Sequence, residues 1–257
     1  MKITAAQRSS TVRRGAAGLA AAAVLATAAV GAAGAPALAA DPPAGPVPTF
    51  DFGDCPDLPA GADPARWRCE VLTATGSLTL GSRTIPDLAP MTITHAEGPL
   101  PDGSPGQVFG GLRGAATAVP GGILGTPAAD HGRALSLSLR PEYGGRSDFY
   151  SVGDSLGLFT LRFRALGLLL PKGCALGGDT PVELRLKRTG GSERISADPP
   201  VIRFGAYDDS FGVPAADHCG PLGRVLNDRL GLPAPTGNTI ALTAHYTYKP
   251  YTQLPPH

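Results

Sequence analysis

Apolar and polar residues alternate one by one along several stretches of the chain. The clearest examples are 135–140, 159–164, 182–187 and 240–249, where every second side chain is apolar. A period of two is typical of β-strands, and one apolar face per strand indicates an antiparallel sheet with one side on a core and the other in water. We therefore predict an all-β fold. An antiparallel β-sandwich is the preferred arrangement and a β-barrel is the alternative.

One short segment has the pattern of a helix instead. Residues 221–230 read PLGRVLNDRL, with Pro221 suited to a first helical turn. Gly231 and Pro233 follow and are typical of a helix end. We predict one short helix over 221–230.

The first 39 residues have the three parts of a secretory signal peptide. A basic start is followed by an Ala-rich apolar run, and Ala37-Leu38-Ala39 offers a cleavage site. A membrane anchor is the alternative, but the run is weakly hydrophobic and Pro36 interrupts it. We expect export by the general secretory route, with twin-arginine export through Arg13-Arg14 as the alternative. The predicted location is therefore outside the cell, in the medium or at the cell wall.

The rest of the chain divides into a linker and a single domain. Residues 40–49 are rich in proline and predict a linker, and 50–257 predict one β-rich globular domain. No later apolar stretch is long enough to span a bilayer, so no transmembrane segment is expected after cleavage of the signal.

Removal of the signal changes the sign of the net charge. Residues 1–40 hold four of the 22 bases and none of the 21 acids, so the remainder carries 18 bases against 21 acids, a net charge of −3. A weakly acidic domain lacks the basic surface that nucleic-acid binding requires. We therefore expect no nucleic-acid partner.

Four cysteines, an even number in an exported chain, predict two disulfides. Three pairings are open, and we favour Cys55–Cys69 and Cys174–Cys219 because each joins sequence neighbours. A zinc site is disfavoured because the chain has no Cys-x-x-Cys. No cofactor is predicted.

The stretch Gly153-Asp154-Ser155-Leu156-Gly157 resembles the nucleophile motif of serine hydrolases. That chemistry needs Ser155 on a tight turn between a strand and a helix. The alternating residues on both sides predict strands, so a turn between strands is the better interpretation. We predict no catalytic residue, and a secreted hydrolase using Ser155 stays an alternative.

A short repeated sequence suggests a metal site. Pro-Ala-Ala-Asp-His occurs twice and places Asp130 and His131 in one loop and Asp217 and His218 in another. Asp and His together can bind a divalent metal. The simpler interpretation is that these are ordinary loop residues.

A basic face suggests a surface for ligands. Arg162, Arg164, Arg185, Lys187 and Arg188 are assigned to the polar sides of two predicted strands. On neighbouring strands they could bind an envelope glycan, a lipid or a protein. A solvated face paired with Glu183 is the simpler interpretation.

Two further residues are given structural roles. Trp67 lies close to Cys69 and is expected to pack on the disulfide rather than hold a sugar. His245 falls on the polar side of its strand and is expected to be exposed.

Four stretches carry a resemblance that covers nearly all of the chain after the signal: CPDLPAGADPARWRCEVLTATG, HAEGPLPDG, PEYGGRSDF and GLPAPTGNTI…YTYKPYTQLP. In overall pattern they resemble a group of uncharacterised exported proteins of actinobacteria. The resemblance implies an exported protein and no particular activity. From the residues themselves we expect a non-catalytic protein that binds a ligand or partner at the cell envelope or in the medium. A structural or assembly protein of the envelope is a further alternative.

Overall fold

The computed structural model of the protein describes residues 46–127 and 133–255. The predicted signal peptide, the first part of the linker, Asp130 and His131 lie outside these residues. Residues 46–49, the end of the predicted linker, have no regular secondary structure.

The alternating segments form strands, most of them longer than the pattern predicted. Eleven strands are present in the described residues: β1 Arg68–Leu80, β2 Arg83–Pro99, β3 Pro105–Gly114, β4 Thr117–Ala118, β5 Ser138–Asp148, β6 Ser155–Leu166, β7 Ala175–Leu176, β8 Val182–Ala197, β9 Pro200–Asp208, β10 Ala216–Asp217 and β11 Thr239–Pro250.

All eleven strands belong to one antiparallel sheet. Its order is β10-β7-β6-β8-β9-β11-β1-β2-β3, and β5 pairs with both β4 and β6. The sheet curls into a half-barrel. The prediction of an antiparallel all-β fold with one short helix is therefore confirmed. A single curled sheet is closer to the barrel alternative than to two facing sheets. Most strands that are neighbours in the sequence are also neighbours in the sheet, as in an up-and-down barrel.

Side chains bridge the gap between β3 and β5, the two strands that face each other across the open side of the curl. Phe109 stacks on Tyr143 with ring centroids 3.7 Å apart. The Gln107 side chain accepts a 3.0 Å hydrogen bond from the backbone N–H of Phe149. The curl is thus held together on this side by side chains rather than by a ladder of backbone hydrogen bonds.

One region of the curled sheet is filled by the hydrophobic core. The core includes Leu78 and Leu80 at the end of β1, and it receives Leu226 and Leu230 from the helix. That helix, α1 (Gly223–Leu230), follows a 3-10 turn at Gly220–Leu222 and ends at Gly231, which has φ +69°. The predicted helix is confirmed, and its apolar side chains close the core.

Both predicted disulfides are confirmed: Cys55–Cys69 and Cys174–Cys219. The second joins the residue just before the 3-10 turn to the residue just before β7. The bonds close loops of 14 and 45 residues. In the chain-entropy model these contribute about 3 and about 4 kcal/mol to the free energy of unfolding. Among the described residues, no helix has the length and hydropathy needed to cross a membrane.

The turn between β1 and β2 is fitted against the end of α1. The Gly81 N–H donates to Asn238 Oδ1 at 2.8 Å, and the neighbouring Ser82 N–H donates to the Leu230 carbonyl at 2.8 Å. Gly81 has φ +56°, and a Cβ there would lie 2.1 Å from the Leu230 carbonyl oxygen. Only glycine fits this turn, because both its φ and its contact exclude a side chain.

We therefore expect Gly81→Ala to lower the free energy of unfolding by more than about 3 kcal/mol, since backbone strain adds to the clash. Gly103→Ala is the matched control. Gly103 also has a positive φ, +84°, but nothing lies within 4 Å of its Cβ position. Strain alone predicts a loss of about 1 kcal/mol there. Urea unfolding of both variants measures the difference, and equal losses would show that the contact with α1 is unimportant.

Candidate ligand cavity

A cavity of about 490 Å³ lies inside the curled sheet, next to the core. This volume is within the range of small-molecule sites in proteins, roughly 300–1,000 Å³. Phe159, Leu161 and Leu184 belong both to the core and to the cavity wall. Further apolar side chains extend the wall outward: Leu72, Ile93, Leu186, Ile202, Phe204 and Leu242.

On each of two neighbouring strands, the side chains that face the cavity change from apolar to charged along the strand. On β1 the row runs from Ala74 and Leu72 to Glu70 and Arg68, all of which line the cavity. On β2 the corresponding polar residues are His95 and Glu97. The register of the two strands places Glu70 opposite His95 and Arg68 opposite Glu97. Because residues directly opposite one another on antiparallel strands are in contact, the four polar groups meet in the wall of the cavity.

These four residues and Tyr246 of β11 form what we call the polar cluster. Arg68 donates hydrogen bonds to both Glu70 and Glu97. His95 Nε2 lies 3.3 Å from Glu70 Oε2, and both side chains are more than nine-tenths buried. The His95 ring stacks on Phe149 at 4.3 Å. His95 Nδ1 is buried and has no hydrogen-bond partner within the described part of the chain.

The two carboxyl groups of the polar cluster ionise at different pH. Burial acts to raise the pKa of Glu70, but the hydrogen bond and charge of His95 and the charge of Arg68 hold it below its usual value. The pKa of Glu97 is raised by burial and by the neighbouring Glu70 charge. Burial, followed by the Glu70 charge, also raises the pKa of the Tyr246 hydroxyl. Tyr246 therefore stays protonated and can donate a hydrogen bond.

The polar cluster is an ion-paired group rather than a ready metal site. Ligand atoms of Glu70, His95 and Glu97 lie within 4.8 Å of one another, close enough to share a metal ion. The Arg68 guanidinium already binds both carboxylates. A metal ion would have to displace this cation and leave it beside a second positive charge, which is unfavourable.

A second cation, Arg188 of β8, lines another part of the cavity wall. Its guanidinium lies over the Phe204 ring, 5.3 Å from the centroid, and donates to Ser192 Oγ. No carboxylate lies within ion-pair distance of Arg188 in the described part of the chain. Its charge therefore remains free for a ligand.

Ser155 lies at the end of a tight hairpin. Val152 and Ser155 form a bridge on either side of Gly153 and Asp154, and β6 begins at Ser155. The Ser155 hydroxyl accepts a 3.3 Å hydrogen bond from the Gly157 N–H. Within the described residues, no hydrogen bond joins Ser155 to a histidine. The hairpin agrees with the turn predicted between two strands and lacks the following helix that a nucleophile motif requires.

The predicted metal residues are only partly described. Asp217 and His218 meet Asp179, whereas Asp130 and His131 lie outside the described residues. His218 Nε2 lies 2.9 Å from Asp179 Oδ1, and the Asp179 N–H donates to Asp217 Oδ2 at 2.9 Å. The hydrogen bond to Asp179, followed by its charge, raises the pKa of His218. The group is mostly exposed and far more open than the polar cluster.

The predicted basic face is interrupted by acids. β6 and β8 are indeed neighbours, with Ser155 opposite Lys187 and Leu158 opposite Arg185. Arg164 lies near the other end of β6 and pairs with Glu142 at 2.9 Å. Arg185 pairs with Glu183. Arg162 has a buried Nε without a partner in the described part of the chain. Four of the five predicted bases are thus spread along the strands, and two of these are paired with carboxylates. The fifth, Arg188, lines the cavity instead.

Two single-residue expectations have different outcomes. His245 is on the outer face of β11 as expected, but it is 7% exposed, so the expected exposure is wrong. Burial, followed by the charge of Arg203, lowers the pKa of His245. Trp67 is 1% exposed and donates its indole N–H to the Pro99 carbonyl at 2.8 Å. The ring packs on β2, where a Cβ at Gly98 would lie 2.5 Å from it, and packing on the disulfide stays a prediction.

The residue pattern alone did not reveal the polar cluster, and Arg188, which was assigned to the outer basic face, lines the cavity instead, although a signal for both was present. Arg188 continues the inward row of Val182, Leu184 and Leu186, and Tyr246 continues the row of Ile240, Leu242 and Ala244. A charged or polar residue at the end of an apolar row indicates a polar group inside a curled sheet. Only the pairing of strands reveals which of these row ends come together.

Comparison of the chain with protein-family models, with curated proteins and with solved structures gives no match.

The two acids of the polar cluster predict opposite pH dependences of stability. Because the pKa of Glu70 is lowered in the folded state, its stabilisation is present above its unfolded pKa and is lost as pH falls through the folded pKa. We expect Glu70→Gln to cost about 2 kcal/mol at neutral pH and progressively less on acidification.

Because the pKa of Glu97 is raised, its stabilisation is present below its unfolded pKa and is lost as pH rises through the folded pKa. Glu97→Gln should therefore become more stable relative to the natural protein as pH rises from about 4.3, the usual pKa of a glutamic acid, toward neutrality. Thermal unfolding of the three proteins across this range measures both trends. If the stabilities of the two variants relative to the natural protein changed with pH in the same direction, the opposite pKa shifts of Glu70 and Glu97 would be contradicted.

Proposed function

We propose that this chain is an exported, non-catalytic binding protein that holds a small amphipathic molecule in the cavity of the curled sheet. The apolar part of the ligand lies against side chains such as Leu72, Leu186 and Leu242. Its polar part is placed among the charged groups of the wall. The observation that carries this proposal is the combination of a large apolar cavity with a few converging polar groups, which is typical of small-molecule sites.

Export is supported by two independent features. Residues 1–39 have the pattern of a signal peptide, and the two disulfides are typical of proteins that work in an oxidising compartment. On this basis the protein acts in the medium or at the cell wall. The resemblance to exported actinobacterial proteins agrees with this location.

The cavity favours a binding protein over a hydrolase that uses Ser155 and over a structural or assembly protein. Ser155 is not among the residues that line it. The large exposed apolar side chains of the described residues include only one adjacent pair, Leu168 and Leu169, in the segment between β6 and β7. An assembly protein would present a larger continuous apolar surface. The apolar wall of the cavity suits a small molecule instead.

A neutral fluorescent probe, N-phenylnaphthylamine, tests the proposal, because its emission rises when it enters an apolar site. We expect saturable binding to the purified, oxidised protein. Leu186→Trp and Leu242→Trp each fill part of the cavity and should weaken the probe's binding by about tenfold or more, equivalent to about 1.4 kcal/mol. Both residues are partly exposed and line the cavity, so a larger side chain can be accommodated.

Leu168→Trp is the matched control. It adds the same indole at a side chain that is 75% exposed and is not part of the cavity wall. Binding should be unchanged in this variant. Equal binding by all four proteins, each folded by circular dichroism, would show that the probe does not enter the cavity and would overturn the proposal.

A further inference from the structure

We infer that the ligand is an amphipathic anion of the fatty-acid class, with its carboxylate bound by Arg188 and its apolar chain extending into the cavity. This inference rests on the proposed binding function and adds the chemistry of the ligand. Two observations support it. All charged groups of the cavity wall except Arg188 have a partner of opposite charge in the described part of the chain, and apolar side chains lie beside Arg188.

The charged residues of the cavity wall are Arg68, Glu70, Glu97 and Arg188, with His95 as a further titratable group. Arg68 binds both glutamates, and His95 contacts Glu70. The polar cluster therefore satisfies its own charges. Arg188 is the exception, since no carboxylate pairs with it in the described part of the chain. A ligand that supplies a negative charge removes this imbalance, and a cationic ligand would increase it.

Arg188 is held in place by contacts that leave its charge available. Its backbone N–H donates to the Asp154 carbonyl at 2.7 Å, which fixes the position of the residue on β8. The guanidinium lies over the Phe204 ring, 5.3 Å from its centroid, and one of its N–H groups donates to Ser192 Oγ. A guanidinium has five N–H donors in a planar fork, so donors remain for a carboxylate in a bidentate arrangement. Because the group is already ordered, little side-chain entropy is lost on binding.

An apolar track leads from Arg188 into the cavity. Leu186 and Leu184 follow it on the same face of β8, and Ala206 of the adjacent strand β9 lies opposite Arg188 and also lines the cavity. From Arg188 to Leu184 the strand advances about 13 Å. Leu242 and Ile240 of β11 continue the wall beyond β9. A charged head with a single long apolar chain matches this geometry, because the cavity-lining residues that follow Arg188 along the track are apolar.

Displacement of bound N-phenylnaphthylamine by ligands that share one chain and differ in the head group tests the inference. The ligands are dodecanoate, dodecanol and dodecylamine. We expect dodecanoate to displace the probe at the lowest concentration and dodecylamine at the highest. In Arg188→Gln the affinity for dodecanoate should fall about tenfold, as for loss of a hydrogen bond to a charged group, and dodecanol should be unaffected. Arg188→Lys should restore part of the affinity for dodecanoate, since it keeps the charge and loses the fork.

Lys187→Gln is the matched control, because Lys187 is the next residue on β8, carries the same charge and faces outward. It should bind all three ligands as the natural protein does. Equal affinity for dodecanoate and dodecanol, or equal loss in the Lys187 and Arg188 variants, would overturn the assignment of the head group and leave the cavity proposal standing. Preference for dodecylamine would also overturn it and would place the head group at the glutamates. If neither the probe nor any of the three ligands binds, the proposed function itself fails.

Discussion

The pairing of β1 with β11 is the constraint on which the rest of the structure depends. The two strands match over twelve consecutive residue pairs, from Arg68 opposite Pro250 to Thr79 opposite Thr239. This long antiparallel contact joins the first long strand of the domain to its last. The strands between them follow in hairpin-like succession, and side chains join β3 to the β5 end of the sheet, so the sheet curls. The curl creates an interior, and the interior contains both the core and the cavity.

The same pairing explains how polar groups come to lie inside an otherwise apolar wall. Inward rows on β1, β2 and β11 end with Arg68 and Glu70, with His95 and Glu97, and with Tyr246. Burying a charge is costly unless a partner compensates it. Here the antiparallel register provides that partner, because each charged residue of β1 faces an oppositely charged or titratable residue of β2. The polar cluster is thus tolerated through pairing, and Arg188 stands out because it has no such partner in the described part of the chain.

The interior of the curled sheet has a closely packed region that stabilises the fold and a less closely packed region that forms the cavity. Leu226 and Leu230 of α1, with the disulfide Cys174–Cys219 beside the 3-10 turn, close the core where it meets the β1–β2 turn. Toward the polar cluster the wall is lined by partly exposed side chains such as Leu72 and Leu186. Close packing in one region holds the sheet in its curl. The less densely packed region can then remain a cavity, and a cavity that exists before binding lowers the cost of holding a ligand.

The amino-acid sequence by itself determined the strands, the helix and the disulfide pairs. Period-two alternation, the Pro221 and Gly231 boundaries, and the short spacing between cysteines are local properties, so they can be recognised without knowledge of the fold. Tertiary structure alone decided that the strands form one curled sheet, that His245 is covered, and that Glu70, His95 and Glu97 meet. These outcomes depend on register between strands far apart in sequence, and alternation fixes the face of a side chain but not its neighbour across the sheet. For the same reason Arg188, whose place in an apolar row was visible in the sequence, gained a role only when the curl placed that row inside a cavity.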